Sequence, residues 1–275
     1  EYNEQIYAAY ANHIHKIKNF SYQIGLRLEE VVVNSKVIPE ANSEEKFNRK
    51  YFGWYPSVFL RQGFGKNENA LHEVQISYSR RINRPSFRLV NPFRDFSDPL
   101  NQRQGNPFLQ PEFINSFELG YNKVWNKASF NTSLFYKLTT DEYSSITALI
   151  DSVSTLTTYD NIGKRHEFGW EIVSKIKVTK WWDIGLDFNI AKRYIVGEGE
   201  YAYISSDRLT YGGKGASTMT YKGFEVQIIG RYRGPNATTQ GQSDGFGTMD
   251  IALKQSILKN KGTISLSASD LFNTR

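Results

Sequence analysis

The chain has 275 residues, room for one large β domain or two small ones, with 39% hydrophobic residues and a mean hydropathy of −0.52. It holds no cysteine, which excludes disulfides and thiolate metal sites, and no apolar run of about 18 residues, which excludes a transmembrane helix. The net charge of +6 is spread over the whole chain rather than gathered in a block, so it gives no nucleic-acid signature.

Apolar residues return at every second position in about a dozen segments, which predicts strands with one apolar face. The first covers 3–13, with Ile6, Ala8 and Tyr10 on one face. The second, 20–30, sets Phe20, Tyr22, Ile24, Leu26 and Leu28 against Ser21, Gln23, Gly25, Arg27 and Glu29. Residues 34–47 are polar and read as a loop. The third strand, 50–62, points Trp54, Val58 and Leu60 outward and contains Pro56, which demotes it or marks a bulge. After a turn at Gly65–Asn69, strand four covers 71–82 with Val74, Ile76 and Tyr78 aligned. Residues 83–112 hold five of the eight prolines and little alternation; a loop this long is functional or disordered.

Strand five, 113–125, carries Phe113, Phe117, Leu119, Tyr121 and Trp125 and turns at Asn126-Lys127. Strand six runs from Ala128 to Leu149, turns over Asp151-Ser152 and returns through 155–161 into strand seven, which ends at Lys177 and points Phe168, Trp170, Ile172 and Ile176 outward. Thr179-Lys180 leads to strand eight, where the rhythm is clearest. Trp182, Ile184, Leu186, Phe188 and Ile190 alternate with Asp183, Gly185, Asp187 and Asn189. A loop at 197–207, a weak strand at 209–220, a turn at Lys222-Gly223 and a strand through Phe224, Val226, Ile228 and Tyr232 follow. A loop at 234–245 leads to strands through Met249, Ile251 and Leu253 and, after Lys259–Gly262, Ile264, Leu266 and Ala268.

Repeated so often, with 15% aromatic residues available for girdles, this pattern predicts a sheet with lipid on one side and water on the other. The fold class is all-β, an antiparallel up-and-down transmembrane β-barrel, present as a partial barrel of about 12 strands within a single domain over 1–275. The turns near 16, 67, 126, 179, 222 and 260 are short, while the connections near 40, 97, 150, 202 and 240 are mostly longer. Short periplasmic turns and long extracellular loops are the expected arrangement.

The strings Tyr78–Pro85, Asn91-Pro92-Phe93, Gly105–Glu112 and Ser116–Tyr121 follow one another around the long loop. In that order they resemble the barrel of TonB-dependent outer-membrane receptors, and most of all the outer-membrane β-barrel family of Bacteroidetes. Gly25–Glu29, Asn161–Lys164, Gly230–Tyr232 and Ser269–Asn273 extend the likeness to the whole chain. The resemblance implies a barrel of about 22 strands around an N-terminal plug, seated in the outer membrane of a Gram-negative bacterium. Substrate would bind at the extracellular side, and the TonB complex would act through a segment near the N-terminus. It implies outer-membrane lipid, the protein's own plug, TonB and a surface lipoprotein as partners. The plug, the first strands and about two closing strands are expected to lie outside this chain.

Within the long loop, Arg84, Asn91, Gly105, Asn106, Pro107, Pro111 and Glu112 are candidates for contacting ligand or a surface partner. The plainer reading is that Pro and Gly shape a loop and start a strand. Alternation places Glu118, Glu171, Asp183, Asp187, Glu225, Arg231 and Arg233 in the lumen, where they would pave a polar path, contact the plug or only form a solvated wall. His13 and His15 share a face, but no third ligand is evident in sequence, so no metal site is assigned. Glu167 and Glu171 give no catalytic signal. No catalytic residue, enzyme activity or cofactor is expected. Two functions compete: active uptake of a siderophore, glycan, peptide or cobalamin, and a non-transporting platform for surface assembly or adhesion. A soluble lipocalin-like binder would need its apolar face turned inward. Because an edge is costly in lipid, the strands at the two chain ends are expected to stay unpaired with each other and to be flanked by further strands.

Overall fold

The computed structural model describes residues 2–37, 45–65, 72–238, 241–259 and 261–274. Among these, twelve strands form one antiparallel up-and-down path. They are β1 (Tyr2–Ile17), β2 (Phe20–Val37), β3 (Glu45–Phe64), β4 (His72–Asn83), β6 (Glu112–Val124), β7 (Ala128–Leu149), β8 (Thr155–Lys177), β9 (Trp182–Gly197), β10 (Ser205–Tyr221), β11 (Phe224–Arg233), β14 (Phe246–Ile257) and β15 (Gly262–Ala268). Short pieces fill three connections: α1 (Phe87–Val90) and β5 (Asn101–Arg103) between β4 and β6, a 3-10 turn (Gly199–Tyr201) between β9 and β10, and the hairpin β12 (Asn236–Thr238) and β13 (Gly241–Ser243) between β11 and β14. Tight turns use residues that tolerate positive φ, as at Lys222 and Gly223, with φ of 46° and 80°.

Residues opposite one another in a ladder share a face of the sheet. One row crosses eight strands as Tyr22, Leu60, Ile76, Leu119, Leu134, Trp170, Ile190 and Tyr211, without a polar interruption. The next row, on the other face, is Gln23, Phe59, Ser77, Glu118, Phe135, Gly169, Ala191 and Thr210. The apolar face has nothing packed on it: Leu134 is 54% exposed, Leu186 51% and Leu266 68%. A surface this apolar is stable only where the surrounding solvent is itself apolar.

The opposite face carries the connection between β4 and β6, here called the strap. The buried apolar residues include Val31, Val33 and Tyr55 on β2 and β3, Val90 and Leu109 in the strap, and Ile162, Ala191 and Ile195 on β8 and β9. β5 adds a parallel ladder to β8, from Asn101 opposite Thr155 to Arg103 opposite Thr157.

Several elements differ from the sequence reading. β2 runs on to Val37 and β3 starts at Glu45, because their ladder continues past the polar residues; 38–44 lie outside the described residues. Pro56 makes no bulge. It stands opposite Leu26 in unbroken register, and the β3–β4 ladder stops beside it, at Ser57 opposite Ser79, so its missing N–H interrupts no ladder there. Ile6, Ala8 and Tyr10 lie on the strap face, opposite Val31, Glu29 and Arg27, whereas Tyr7, Ala9 and Ala11 continue the apolar face. The long loop is built rather than open, and β10 begins at Ser205, earlier than its weak alternation suggests. The turns at 67 and at Asn260 fall outside the described residues. Among the described residues β1 bonds only to β2 and β15 only to β14, so the sheet is open.

Candidate functional site

The strap, residues 84–111, is pinned at both ends across the polar face. At its start Arg84 donates to the Glu29 carboxylate and, through Nε, to the Tyr51 hydroxyl at 3.1 Å. Glu29 is 4% exposed and also accepts from Arg27. Such a buried carboxylate is tolerated because two guanidiniums satisfy it. Phe87 packs edge-on against Tyr2, with centroids 5.4 Å apart, and Phe108 against Phe47 at 5.3 Å. Arg49 donates to the Leu109 carbonyl.

At the far side the strap is tied to β8. Asn106 Nδ2 donates to the Tyr159 carbonyl at 2.9 Å, and the Gln110 N–H donates to Asn161 Oδ1 at 2.8 Å. The middle is closed on itself. Gly105 N–H donates to Asn91 O at 2.9 Å and Asn106 N–H to Leu89 O at 2.7 Å. A Cβ on Gly105 would stand 2.6 Å from both carbonyl oxygens, so the close approach requires glycine. Glu112, 4% exposed, accepts from Asn83 Nδ2 at 2.7 Å and from the Tyr143 N–H at 3.1 Å. Beside it Glu142 accepts from Arg165 at 2.6 Å. The polar atoms of Arg84, Asn106 and Glu112 are therefore spent on the strap's own fold, and Pro107 and Pro111 shape its last turn.

What the strap leaves outward is different. Phe87, Phe93, Phe96, Leu100 and Phe108 are between 54% and 68% exposed, and Arg88, Arg94 and Arg103 are exposed beside them. Arg94 lies 6.0 Å from the Phe96 ring centroid. Sequence reasoning passed over these residues in favour of the Gly-Asn-Pro string. The signal was four Arg and four Phe within a segment that lacks alternation, and it marks a surface able to stack and to hold anions. Two aspartates fix the outer curve: Asp95 accepts from the Ser97 N–H at 2.9 Å and Asp98 from the Leu100 N–H at 3.0 Å. These bonds hold the Asp95 carboxyl below its usual range through Ser97, and that of Asp98 through Asn101 and then Leu100.

A second group lies on the same face of β9, β10 and β11. Asp187, Arg231 and Arg233 line a hollow of about 530 Å3 with Asn189, Arg193 and Lys214. Arg193 pairs with Glu167 at 2.8 Å and Arg231 with Asp250. Lys214 and Arg233 have no acidic partner among the described residues, so the hollow carries surplus positive charge. The other expected wall residues share the face but not the hollow. Glu118 stands opposite Phe135, Glu171 opposite Ser133 and Asn189, Asp183 opposite Lys177 and Thr218, and Glu225 opposite Lys254. His13 and His15 lie on the apolar face, opposite Ile24 and Tyr22.

Comparison with known proteins adds a lineage to this geometry. The outer membrane protein beta-barrel family matches residues 1–275. No curated protein matches the chain in sequence. Among solved structures the chain is similar to the copper transporter OprC, at TM-score 0.72 and 14% identity over 98% of this chain and 42% of that one. It is also similar to the siderophore receptor PirA from Pseudomonas aeruginosa, at 0.64 and 11% over 100% and 55%. A third is the FrpB iron transporter from Neisseria meningitidis (F5-1 variant), at 0.67 and 16% over 98% and 42%. The chain thus spans about half or less of each, and at these identities the likeness is one of fold.

Proposed function

The chain belongs to the outer membrane protein beta-barrel family and resides in the outer membrane, and on that footing we propose that it forms wall and surface strap of a TonB-dependent uptake receptor. The observation that carries this reading is the strap. It is a long connection held rigidly across the polar face, with aromatic and arginine side chains left free at the long-loop end. A platform for adhesion has no need to tie such a segment back over its own lumen. The substrate is a nutrient too scarce or too large for simple pores, of the siderophore, glycan, peptide or cobalamin class. Arg88, Arg94 and Arg103, with Arg231, Arg233 and Lys214 deeper on the wall, favour an anionic one. The protein's plug fills the lumen, and the TonB complex acts through the part that precedes this chain.

The test is uptake of labelled ferric siderophores, glycans, peptides and cobalamin by cells carrying the full-length protein. Uptake should require TonB, and Arg88→Ala/Arg94→Ala/Arg103→Ala should lower affinity about tenfold or more while the barrel still assembles. Cells that take up none of these substrates, yet still attach a surface partner through the strap, would favour the platform instead.

A further inference from the structure

Arg80 occupies an unexpected place. It stands opposite Asn115 on the apolar face, one outward position beyond Tyr78 and Phe117. Tyr78, Phe117, Tyr136 and Phe168 form a row of rings across β4, β6, β7 and β8, with centroids 4.8, 6.2 and 4.5 Å apart. Aromatic rows of this kind mark the level where hydrocarbon gives way to headgroups. Asn115 lies about eleven residues above the turn at Asn126, roughly 28 Å along the membrane normal for a strand tilted near 40°, which is the outer rim of the apolar band.

The guanidinium of Arg80 lies between two rings, 5.1 Å from the Trp54 centroid and 5.0 Å from that of Phe113. The rings stabilise the cation and hold its plane, but they accept no strong hydrogen bond. Its Nε is buried and has no hydrogen-bond partner, and the side chain has no ion pair among the described residues. No acid is in place to supply one. The neighbouring positions of that face include Phe52, Trp54, Pro56, Tyr78, Ile82, Phe113, Asn115, Phe117 and Leu138, none of them acidic, and Glu30, further up the face, is held by Lys50 at 2.7 Å. Asn115 spends its Oδ1 on the Tyr78 hydroxyl at 3.0 Å, which leaves its amide N–H groups beside Arg80. A planar cation and an amide donor, both unspent, thus meet at headgroup depth above an apolar wall.

We propose that Arg80 and Asn115, framed by Trp54 and Phe113, bind the phosphorylated headgroup of an outer-leaflet lipid. The assignment of leaflet rests on the short turns being periplasmic. The phosphate accepts from the guanidinium fork and from the Asn115 amide, and the acyl chains lie down the face past Tyr78 and Phe117.

The full-length protein is placed in phosphatidylcholine nanodiscs containing lipid A or enzymatically dephosphorylated lipid A, and retained lipid is read by native mass spectrometry. Wild type should retain lipid A over its dephosphorylated form, and Arg80→Met should weaken that retention about tenfold. Arg80→Lys, which keeps the charge without the fork, should fall between them. Equal retention by wild type and Arg80→Met would overturn the proposal. Should Arg80→Met not fold, the unfolding temperature of wild type decides, since it must be higher with lipid A than with the dephosphorylated lipid. Inorganic phosphate alone should not reproduce that stabilisation; if it does, the site takes free phosphate and the lipid assignment falls.

Discussion

At Leu186 and Asp187 the two solvents of the sheet meet across one peptide bond. Leu186 stands opposite Ser174 and Gly215 on the apolar face, and Asp187 opposite Val173 and Lys214 on the other. Trp170 and Ile172 pair with Ile190 and Phe188, so the apolar residues of β8 and β9 form one band. Arg in place of Leu186 must bring its charge into hydrocarbon, and is expected to cost about 2–4 kcal/mol of folding stability in a bilayer. Arg in place of Asp187 keeps its charge in water and should cost much less. Urea unfolding in vesicles measures both, and equal losses would show that the faces are wrongly assigned. At this scale the sequence was informative wherever a residue's role depends on its immediate neighbours. It marked Gly105 as a loop-shaping residue but could not give the reason, since its need for a bare Cα comes from the carbonyls of Leu89 and Asn91 folded back over it.

Among the elements, the strap differs most from what alternation predicts. Alternation reports a strand whose two faces meet different solvents, and the strap has no such faces. Its order comes from contacts made across more than 50 residues of chain, such as Asn106 with Tyr159 and Arg84 with Glu29. Its outer curve is held by exposed carboxylates, and that gives it a pH dependence. The Asp95 and Asp98 carboxyls are held below their usual range in the fold. Their contribution is therefore complete above the unfolded carboxylate value of about 3.9, and is lost as pH falls through the lower folded values. Hydrogen exchange at the Ser97 and Leu100 amides should show steady protection from pH 7 down to roughly pH 5, and loss only in strong acid. Protection that faded already near neutrality would mean that other groups hold this curve.

For the whole molecule, the long hairpin β7–β8 sets the orientation. A strand needs about 9–11 residues to cross the membrane, and β7 has 22 and β8 has 23. The excess projects from the end that carries the strap. Val153 at the hairpin tip is 72% exposed, and Asn126 at the opposite turn is exposed as well. Because the chain has no cysteine, Val153→Cys in the full-length protein should react with an impermeant maleimide on intact cells, and Asn126→Cys only after the outer membrane is opened. The reverse pattern would invert the topology. Asn106 is less suited to such labelling, because its amide is tied to Tyr159. Among the described residues the edges of β1 and β15 stay open, and unpaired strand edges are not stable in lipid.

The sequence by itself determined most of the strand path, the faces of β2 to β4, β6 to β9 and β11, and the alternation of short turns with long connections. These follow from a period of two residues and from local turn chemistry, which a single segment carries within itself. It could not determine the face of β1, where Ile6, Ala8 and Tyr10 alternate as well as Tyr7, Ala9 and Ala11 do, and only pairing with β2 decides. Nor could it show that the strap folds inward, that its arginines divide between anchoring and open surface, or that Arg80 comes to rest between Trp54 and Phe113. Each of these depends on which distant residues the ladder brings side by side, and that is a property of the assembled sheet rather than of any stretch of chain.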